Sequence, residues 1–165
     1  MSLPKIPSSR AIVRFQDCDP YGHLYNARYL DYFMNAREDQ LMNVYQFDIY
    51  GIGMTEGLGW VVAQNQIAYL QPALLMEKLE ITSRLIEFSP KTITVEFEMF
   101  NEDRSQRKSL MWTRLVHFDL RSRKSATHRD AFMELFESVH APVEARSFDD
   151  RVAQLRKTAP EKPIQ

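Results

Sequence analysis

Four strand patterns follow one another between residues 60 and 120, and this run restricts the possible folds more than any other feature of the chain. The clearest pattern lies between Ile93 and Met99, where apolar side chains alternate with threonine and glutamate, as in a strand with one buried face. Turn-forming residues such as Ser89 and Pro90 separate the patterns. We therefore predict four strands over residues 60–70, 79–85, 93–99 and 109–119.

A single long helical pattern precedes these strands. Apolar residues recur near the 3.6-residue period from about Asn26 to Phe47, and Asn26 is a suitable N-cap. The glycine-rich segment 50–60 is predicted to end the helix and to form a mobile loop. A short strand over Ala11 to Gln16 comes before the helix. This order of elements predicts an α+β fold, in which a mostly antiparallel sheet of about five strands wraps around one long central helix.

Length and composition are those of one soluble domain. The chain has 165 residues, of which 44% are hydrophobic, and a formal net charge of −1, which gives no general attraction to nucleic acid or to an anionic membrane. We predict one domain over residues 1–145, with a short C-terminal helix around 132–139, and a polar, partly mobile tail over 146–165. The N-terminal residues lack the apolar core of a signal peptide, and no segment suits membrane insertion, so a cytoplasmic location is expected.

The sharpest motif is FQDCDPYGHLYNARYLDY, which runs from Phe15 to Tyr32. Asp17 and Asp19 flank the only cysteine of the chain, Cys18, and a turn then leads into the helical pattern. A carboxylate in such a turn lies beside the unpaired backbone N–H groups at the positive end of the helix dipole. This combination favours attack on a carbonyl group, because the N–H groups stabilise the negative charge that develops on the carbonyl oxygen.

The string D-C-D-P-x-G, followed by N-x-x-Y, resembles the 4-hydroxybenzoyl-CoA thioesterase-like branch of the hotdog-fold acyl thioesterases. The resemblance implies hydrolysis of an acyl-CoA to a free acid and CoA. It implies that Asp19 is the nucleophile or the general base, and that the backbone N–H at Asn26 polarises the thioester carbonyl. His23, which acyl-ACP-type relatives share, is a candidate for orienting water or for protonating the leaving thiolate. Tyr25 stands where some relatives have asparagine, and it is a candidate for contact with the acyl group.

Simpler interpretations of these residues stay open. Asp19 is also a common type of turn former before proline, Asn26 an ordinary N-cap and His23 a structural histidine. If the segment is extended, Asp17 shares a face with Asp19 and repels its charge; otherwise Asp17 hydrogen-bonds the turn. Cys18 is rejected as a nucleophile, because two neighbouring carboxylates disfavour its thiolate.

The expected ligand is an acyl-CoA, with no metal and no cofactor other than the coenzyme A of the substrate itself. The phosphates of coenzyme A need cations, and the candidates are Lys91, Arg121, Arg123 and Lys124. Hotdog relatives join sheets edge to edge, so a homodimer or homotetramer is expected, with sites at the subunit boundary. The alternatives are a non-catalytic acyl-thioester-binding or assembly subunit, an acyl-ACP thioesterase, and a hotdog hydratase or dehydratase.

Overall fold

The computed structural model describes residues 2–160, in which a curved antiparallel sheet packs against a central helix. The strands are β1 (Ser8–Ile12), β2 (Leu58–Tyr69), β3 (Lys78–Phe88), β4 (Thr92–Asn101), β5 (Arg107–Asp119) and β6 (Lys124–Ser125). They occur in the order β1-β3-β4-β5-β2, with β6 paired to the end of β5, and all neighbouring pairs are antiparallel. The predicted fold class and the four strands between residues 60 and 120 are confirmed.

The first strand lies earlier in the chain than predicted. It ends at Ile12, whereas Phe15–Asp17 form a 3-10 turn, in which the N–H of Cys18 donates to the carbonyl oxygen of Phe15 at 3.1 Å. The acidic motif therefore begins in a compact turn and not in extended chain. This turn follows directly from an edge strand of the sheet, since β1 pairs only with β3 among the described strands.

The central helix, α1, covers Tyr29–Asn43 and follows a 3-10 turn over Asn26–Arg28. The N-cap of α1 is Arg28, so the prediction of Asn26 as N-cap was wrong: Asn26 begins the 3-10 turn. The helix also ends earlier than predicted, because the chain turns away at Gln46, whose φ is 50°. Fifteen residues give a helix about 22 Å long. Its buried residues, spaced three and four apart, are Tyr29, Phe33, Ala36 and Gln40.

A second helix, α2 (Ile49–Glu56), occupies the segment that we predicted to be a loop. The side chain of Asp48 caps it and accepts a 2.8 Å hydrogen bond from the N–H of Gly51. Gly57 ends it in the left-handed conformation, with φ of 69°, which favours glycine. The loop prediction was wrong because two glycines lie inside a short helix that has clear caps at both ends.

Two further helices follow the sheet. The predicted C-terminal helix is present as α3 (Asp130–Val139), with Phe132, Phe136 and Val139 buried. A helix that the sequence analysis missed, α4 (Phe148–Lys157), lies within the predicted tail 146–165. The described part of that tail is therefore mostly helical and packed, while residues 161–165 lie outside the described residues.

Helix α4 is attached to the outer face of the sheet by a buried ion pair. Nε and Nη2 of Arg151 donate to the two carboxylate oxygens of Glu96, at 2.8 and 2.7 Å. Glu96 lies on β4 and is 1% exposed, and it also accepts from Nε1 of Trp112 at 2.7 Å. The ring of Phe148 packs edge-on against that of Trp112, with ring centroids 5.7 Å apart. The outer face is thus covered by this chain itself.

Strand β2 forms the other edge of the sheet and pairs with β5 alone among the described strands. Its central residues, 61–66, are exposed in unbroken succession. Because successive side chains of a strand point to opposite faces, both faces of β2 are accessible there. Edge strands also present unpaired N–H and C=O groups, so β2 offers both backbone and side chains to another strand.

Candidate active site

The loop around Asp19 is closed by hydrogen bonds on its own carboxylate. Oδ1 of Asp19 accepts from the backbone N–H of Tyr21 at 2.9 Å and of His23 at 3.1 Å. The backbone N–H of Asp19 donates to the carbonyl oxygen of His23 at 2.8 Å, and Gly22 takes a φ of 75° to complete the turn. No donor of residues 2–160 bonds Oδ2. The loop therefore fixes the carboxylate and leaves one of its oxygens available.

Asp17 has different partners from Asp19. Its Oδ2 accepts a 2.7 Å hydrogen bond from the hydroxyl group of Tyr32 on α1, and Nε of Arg28 lies 4.0 Å from its Oδ1. Because Asp17 ends a 3-10 turn, the extended segment that would put both acids on one face does not exist. The alternative prediction was that Asp17 hydrogen-bonds the backbone of the turn; among the described residues its carboxylate is instead hydrogen-bonded by the Tyr32 side chain of α1.

The thiol of Cys18 is held away from reactive chemistry. Its Sγ donates to the carbonyl oxygen of Arg14 at 3.4 Å. Burial, followed by the charges of Asp19 and Asp17, raises the pKa of the Cys18 thiol. A raised pKa leaves less thiolate at neutral pH, which supports the rejection of Cys18 as a nucleophile.

The remaining motif residues surround the start of the helical segment. The carbonyl oxygen of Asn26 accepts from the hydroxyl group of Tyr69, at the end of β2, at 3.0 Å. The first N–H groups of a helical segment have no partner within it, so those of Asn26 and Ala27 are available to a ligand. The N–H of Arg28 donates to the carbonyl oxygen of Tyr25 at 2.8 Å. Tyr25 is 55% exposed, and the ring of His23 lies 6.5 Å from that of Tyr21. The structure therefore brings Asp19, His23, Tyr25 and Asn26 into one surface region.

The four candidate cations lie together, but far from Asp19. Lys91 reaches Oγ of Ser125 at 3.5 Å, next to Lys124 on β6, and Arg121 and Arg123 belong to the turn between β5 and β6. We call these four residues the basic cluster. Strand pairing sets Asp119 beside Leu58, eleven positions along β2 from Tyr69 and its Asn26 contact. At about 3.3 Å per residue, the basic cluster and the Asp19 loop of one chain lie roughly 35 Å apart.

Arg121 also has a structural role that the sequence analysis missed. Its Nη2 donates to the carbonyl oxygen of Thr55 at 3.1 Å, and its side chain packs against Gly57, where a Cβ would lie only 2.8 Å from its Nε. The backbone N–H of Arg121 donates to Oδ1 of Asp119 at 2.8 Å. Lys91, Arg123 and Lys124 are thus freer to bind a ligand than Arg121.

A largely apolar cavity of about 710 Å³ lies between the concave face of the sheet and the helices α1, α2 and α3. Its mouth is at the β2 edge, where Met54 and Val62 are 86% and 48% exposed, and its inner end lies at Leu85, which is 2% exposed. Because neighbouring strands lie about 4.8 Å apart, the floor crosses roughly 14 Å of sheet. The floor takes residues from four successive strands, such as Val62, Leu115, Val95 and Leu85.

The sequence analysis did not predict this cavity. Its lining consists of alternate apolar residues on several strands and one helix face, and that pattern is also typical of a filled core. None of Asp19, His23, Tyr25 or Asn26 lines it. Within one chain, the acidic loop and the cavity are therefore separate features at opposite ends of β2.

A curved antiparallel sheet around one helix, with a loop carboxylate held before the start of that helix, defines the hotdog class of acyl thioesterase folds. Residues 13–136 match the thioesterase-like superfamily, and the chain belongs to this family. The predicted reaction class, thioester hydrolysis, is confirmed at the level of the family. The matched region contains the acidic loop, α1 and the four long strands β2 to β5, but neither β1 nor α4.

Individual relatives agree with this assignment. The long-chain acyl-CoA thioesterase FadM of Escherichia coli is 30% identical over 127 residues, which are 77% of this chain and 94% of FadM. The crystal structure of YbaW from Escherichia coli is 28% identical, with a TM-score of 0.70 over 81% of this chain and 98% of YbaW. The 1,4-dihydroxy-2-naphthoyl-CoA thioesterase Slr0204 from Synechocystis shares the fold, with 17% identity and a TM-score of 0.72 over 81% of this chain and 95% of that protein.

Across residues 2–160, no helix combines the length and the apolar character needed to cross a bilayer. In the same part of the chain, no group of three or more histidine, cysteine, aspartate or glutamate side chains could hold a metal ion.

Proposed function

We propose that this protein is an acyl-CoA thioesterase, which hydrolyses an acyl-CoA to a free acid and coenzyme A. The observation that supports this most directly is the Asp19 loop, whose carboxylate is fixed immediately before the helical segment that begins at Asn26. FadM, which is 30% identical, is named a long-chain acyl-CoA thioesterase, and the deep apolar cavity suits an extended acyl chain. The substrate brings its own coenzyme A, and no other cofactor enters the proposed reaction.

In the proposed reaction, the thioester carbonyl oxygen lies against the first N–H groups of the segment that begins at Asn26. These donors stabilise the oxyanion that forms when the carbonyl carbon is attacked. Asp19 either takes a proton from an attacking water or attacks the carbon itself, giving a mixed anhydride that water then hydrolyses. In both routes the C–S bond breaks, and the thiolate takes a proton from His23 or from solvent. Tyr25, exposed beside this site, contacts the acyl group.

The cavity and the Asp19 loop can serve one substrate if two chains associate through β2. The strand extends from Leu58 to Tyr69, and its exposed stretch 61–66 has the same midpoint, between Ala63 and Gln64. Antiparallel pairing about this midpoint sets the Tyr69 end of one chain against the Leu58 end of its partner. The acidic loop of one chain then meets the cavity mouth of the other, which lies at Leu58 to Val62.

The same pairing gives the basic cluster a role in binding coenzyme A. Because Leu58 pairs with Asp119, the basic cluster lies beside the Leu58 end of β2. In a β2-paired homodimer, the cluster of one chain lies near the Asp19 loop of the other. The acyl chain would then enter the apolar cavity, the thioester would face Asp19, and the phosphates would lie against cations at the rim.

Hydrolysis of a panel of acyl-CoAs, followed by release of free thiol, tests the proposed function. We expect turnover by the wild type and its loss in Asp19→Asn, a variant whose amide oxygen can still accept the two loop N–H bonds. Binding without thiol release would identify an acyl-thioester-binding subunit. Thiol release only from the acylated carrier protein would identify an acyl-ACP thioesterase, and hydration of an enoyl-CoA without thiol release would identify a hydratase.

A further inference from the structure

Arg37 differs from every other shielded cation in the described chain. Five arginine and lysine residues besides Arg37 are buried or partly buried, and each of them forms an ion pair with a carboxylate. These five are Arg84, Arg104, Arg107, Lys108 and Arg151. Within residues 2–160, no carboxylate oxygen lies within 4.0 Å of the Arg37 guanidinium. Burial without a counter-charge lowers the pKa of the Arg37 guanidinium.

Neutral groups hold the Arg37 guanidinium in place. Its Nη1 donates to Oγ of Ser83 at 2.9 Å, and its Cζ lies 5.7 Å from the ring centroid of Tyr45. The Ser83 hydroxyl donates in turn to the side-chain oxygen of Gln40, whose Nε2 donates to the carbonyl oxygen of Ile81 at 3.0 Å. This chain of bonds fixes one N–H of Arg37 to β3. The hydroxyl group of Tyr45 also accepts from the Arg37 side chain. A guanidinium has five N–H donors, so the remaining ones have capacity for a planar anion.

Arg37 lies where the far end of an acyl chain in the cavity could reach its remaining N–H donors. Arg37 lines the cavity, and its partner Ser83 lies on β3, two residues from Leu85 at the inner end. The mouth is at β2, on the other side of the cavity floor. Glu38, the acidic side chain of the lining, accepts a 2.6 Å hydrogen bond through its Oε2 from the hydroxyl group of Tyr50, which also lines the cavity. An acyl chain that enters at the β2 edge therefore directs its far end toward the partly buried guanidinium of Arg37.

We propose that Arg37 binds a carboxylate at the distal end of the acyl group, so that the preferred substrates are CoA monothioesters of dicarboxylic acids. This inference rests on the proposed function, because it takes the cavity to hold the acyl chain. The substrate carboxylate would supply the counter-charge that the described protein does not provide. A bidentate guanidinium–carboxylate pair in an apolar cavity is strong and geometrically selective, whereas a methyl terminus leaves the cation unpaired.

The test compares dodecanoyl-CoA with the monothioester dodecanedioyl-CoA, and then shorter and longer members of both series. We expect the wild type to hydrolyse the carboxylate-ended member of the optimal pair with a kcat/KM about tenfold higher or more, as for a hydrogen-bonded charge pair. Arg37→Met should remove or reverse this preference while retaining hydrolysis of the methyl-ended chain. Arg146→Met, at an exposed position between α3 and α4, is the matched control and should keep the preference.

The role of Arg37 can still be tested if the variant does not fold or if no hydrolysis is observed. If Arg37→Met does not fold, calorimetric binding of dodecanedioyl-CoA and dodecanoyl-CoA to Asp19→Asn replaces it, and tighter binding of the carboxylate-ended thioester supports the proposal. Equal kcat/KM for both termini in the wild type, or equal loss of both in a folded Arg37→Met, would overturn the role of Arg37 and leave the thioesterase intact. Absence of all hydrolysis would overturn the proposed function, while the binding comparison would still decide the role of Arg37.

Discussion

The hydroxyl group of Tyr32 donates a 2.7 Å hydrogen bond to Oδ2 of Asp17, and this bond ties the acidic loop to the first turn of α1. The same hydroxyl oxygen accepts from the backbone N–H of Arg14 at 3.1 Å. Burial, together with the hydrogen bond to Asp17, raises the pKa of Tyr32 to about 12, so the phenol stays a donor at neutral pH. Asp17 is therefore an anchor of the loop, whereas Oδ2 of Asp19 has no hydrogen-bond donor among residues 2–160.

Substitutions at the three motif residues should separate chemistry from anchoring. We expect Asp19→Asn to lower kcat by orders of magnitude with little change in stability, because the loop bonds to Oδ1 remain possible. Asp17→Asn should cost less activity but lower the melting temperature, since it weakens a charged hydrogen bond. Cys18→Ser should change kcat very little. Loss of turnover in Cys18→Ser, with turnover retained in Asp19→Asn, would refute the assignment of Asp19. Acyl-CoA hydrolysis measures kcat, and thermal melts measure the melting temperature.

Subunit complementation should reveal a site shared between two chains. We expect a dimer of about twice the 19.4 kDa chain mass, as measured by sedimentation. Asp19→Asn keeps its cavity, and Leu115→Trp narrows the cavity while keeping Asp19, so each homodimer should be inactive. Mixed dimers made by co-refolding combine one intact loop with one intact cavity, and part of the activity should return. An active monomer, or mixed dimers that stay inactive, would argue against the β2-paired site.

Cations of the basic cluster should affect substrate binding more than turnover. We expect Lys91→Ala combined with Lys124→Ala to raise KM for acyl-CoA and to leave kcat nearly unchanged, since phosphates far from the carbonyl contribute uniform binding. The effect should shrink as salt is added, because exposed charges are screened within about 10 Å at 0.1 M. An N-acetylcysteamine thioester, which lacks the nucleotide, should be hydrolysed equally by both proteins. Equal losses on both substrates would show a structural role instead.

Two stacked histidines predict how stability depends on pH. His117 and His128 are 1% and 5% exposed, with ring centroids 4.7 Å apart, and burial lowers the pKa of each. The folded state therefore favours the neutral rings, and their stabilising effect is complete above the unfolded pKa of about 6.5. It is lost as the pH falls from there through the folded-state pKa values. Urea midpoints should drop between about pH 7 and pH 5, with a smaller drop in His117→Gln; midpoints that rise on acidification would contradict this.

The buried pair between Arg151 and Glu96 predicts a large effect on stability. Arg151→Met removes two hydrogen bonds from the Glu96 carboxylate, which is 1% exposed and keeps Arg84 at 3.2 Å. Loss of hydrogen bonds to a charged group of this kind costs about 2 kcal/mol. We expect a lower urea midpoint with thioesterase activity retained, because α4 lies on the face away from the cavity. Arg156→Met, at an exposed position of the same helix, should behave like the wild type. An unchanged midpoint in Arg151→Met would show that α4 contributes little.

The strands and α1 were predictable because their residues follow one dominant period. The interior of β4 alternates strictly, and its apolar side chains proved to be the ones that face α1. Helix α2 was missed because glycine was interpreted as a helix breaker, although Asp48 and Gly57 carry cap signals at both ends. Helix α4 also had recognisable signals, since Ser147 caps it and its first and last turns are acidic and basic. We predicted a mobile tail there because the polar, proline-containing composition was given more weight than these cap signals.

The candidate site was predictable only where it is local in sequence. Asp19, His23 and Asn26 fall within eight residues, so a motif can identify them together. The cavity, by contrast, results from the distance between a helix and a sheet, which no residue pattern encodes. Among the described residues, Arg37 is the shielded cation without a carboxylate partner, and this difference is visible only once the partners of the others are known. The separation of roughly 35 Å between the Asp19 loop and the basic cluster likewise follows from strand register.

Helix α4 has a consequence for how many chains can assemble. By covering the β4 and β5 side chains of the convex surface, it removes the flat area on which two sheet dimers could stack back to back. Growth of an assembly would then be limited to the β1 and β2 margins, and pairing at β2 closes on itself by two-fold symmetry. Removing α4 should therefore not merely loosen the fold. It would expose an apolar patch that includes Leu110 and Trp112, and this patch would allow larger, less defined oligomers.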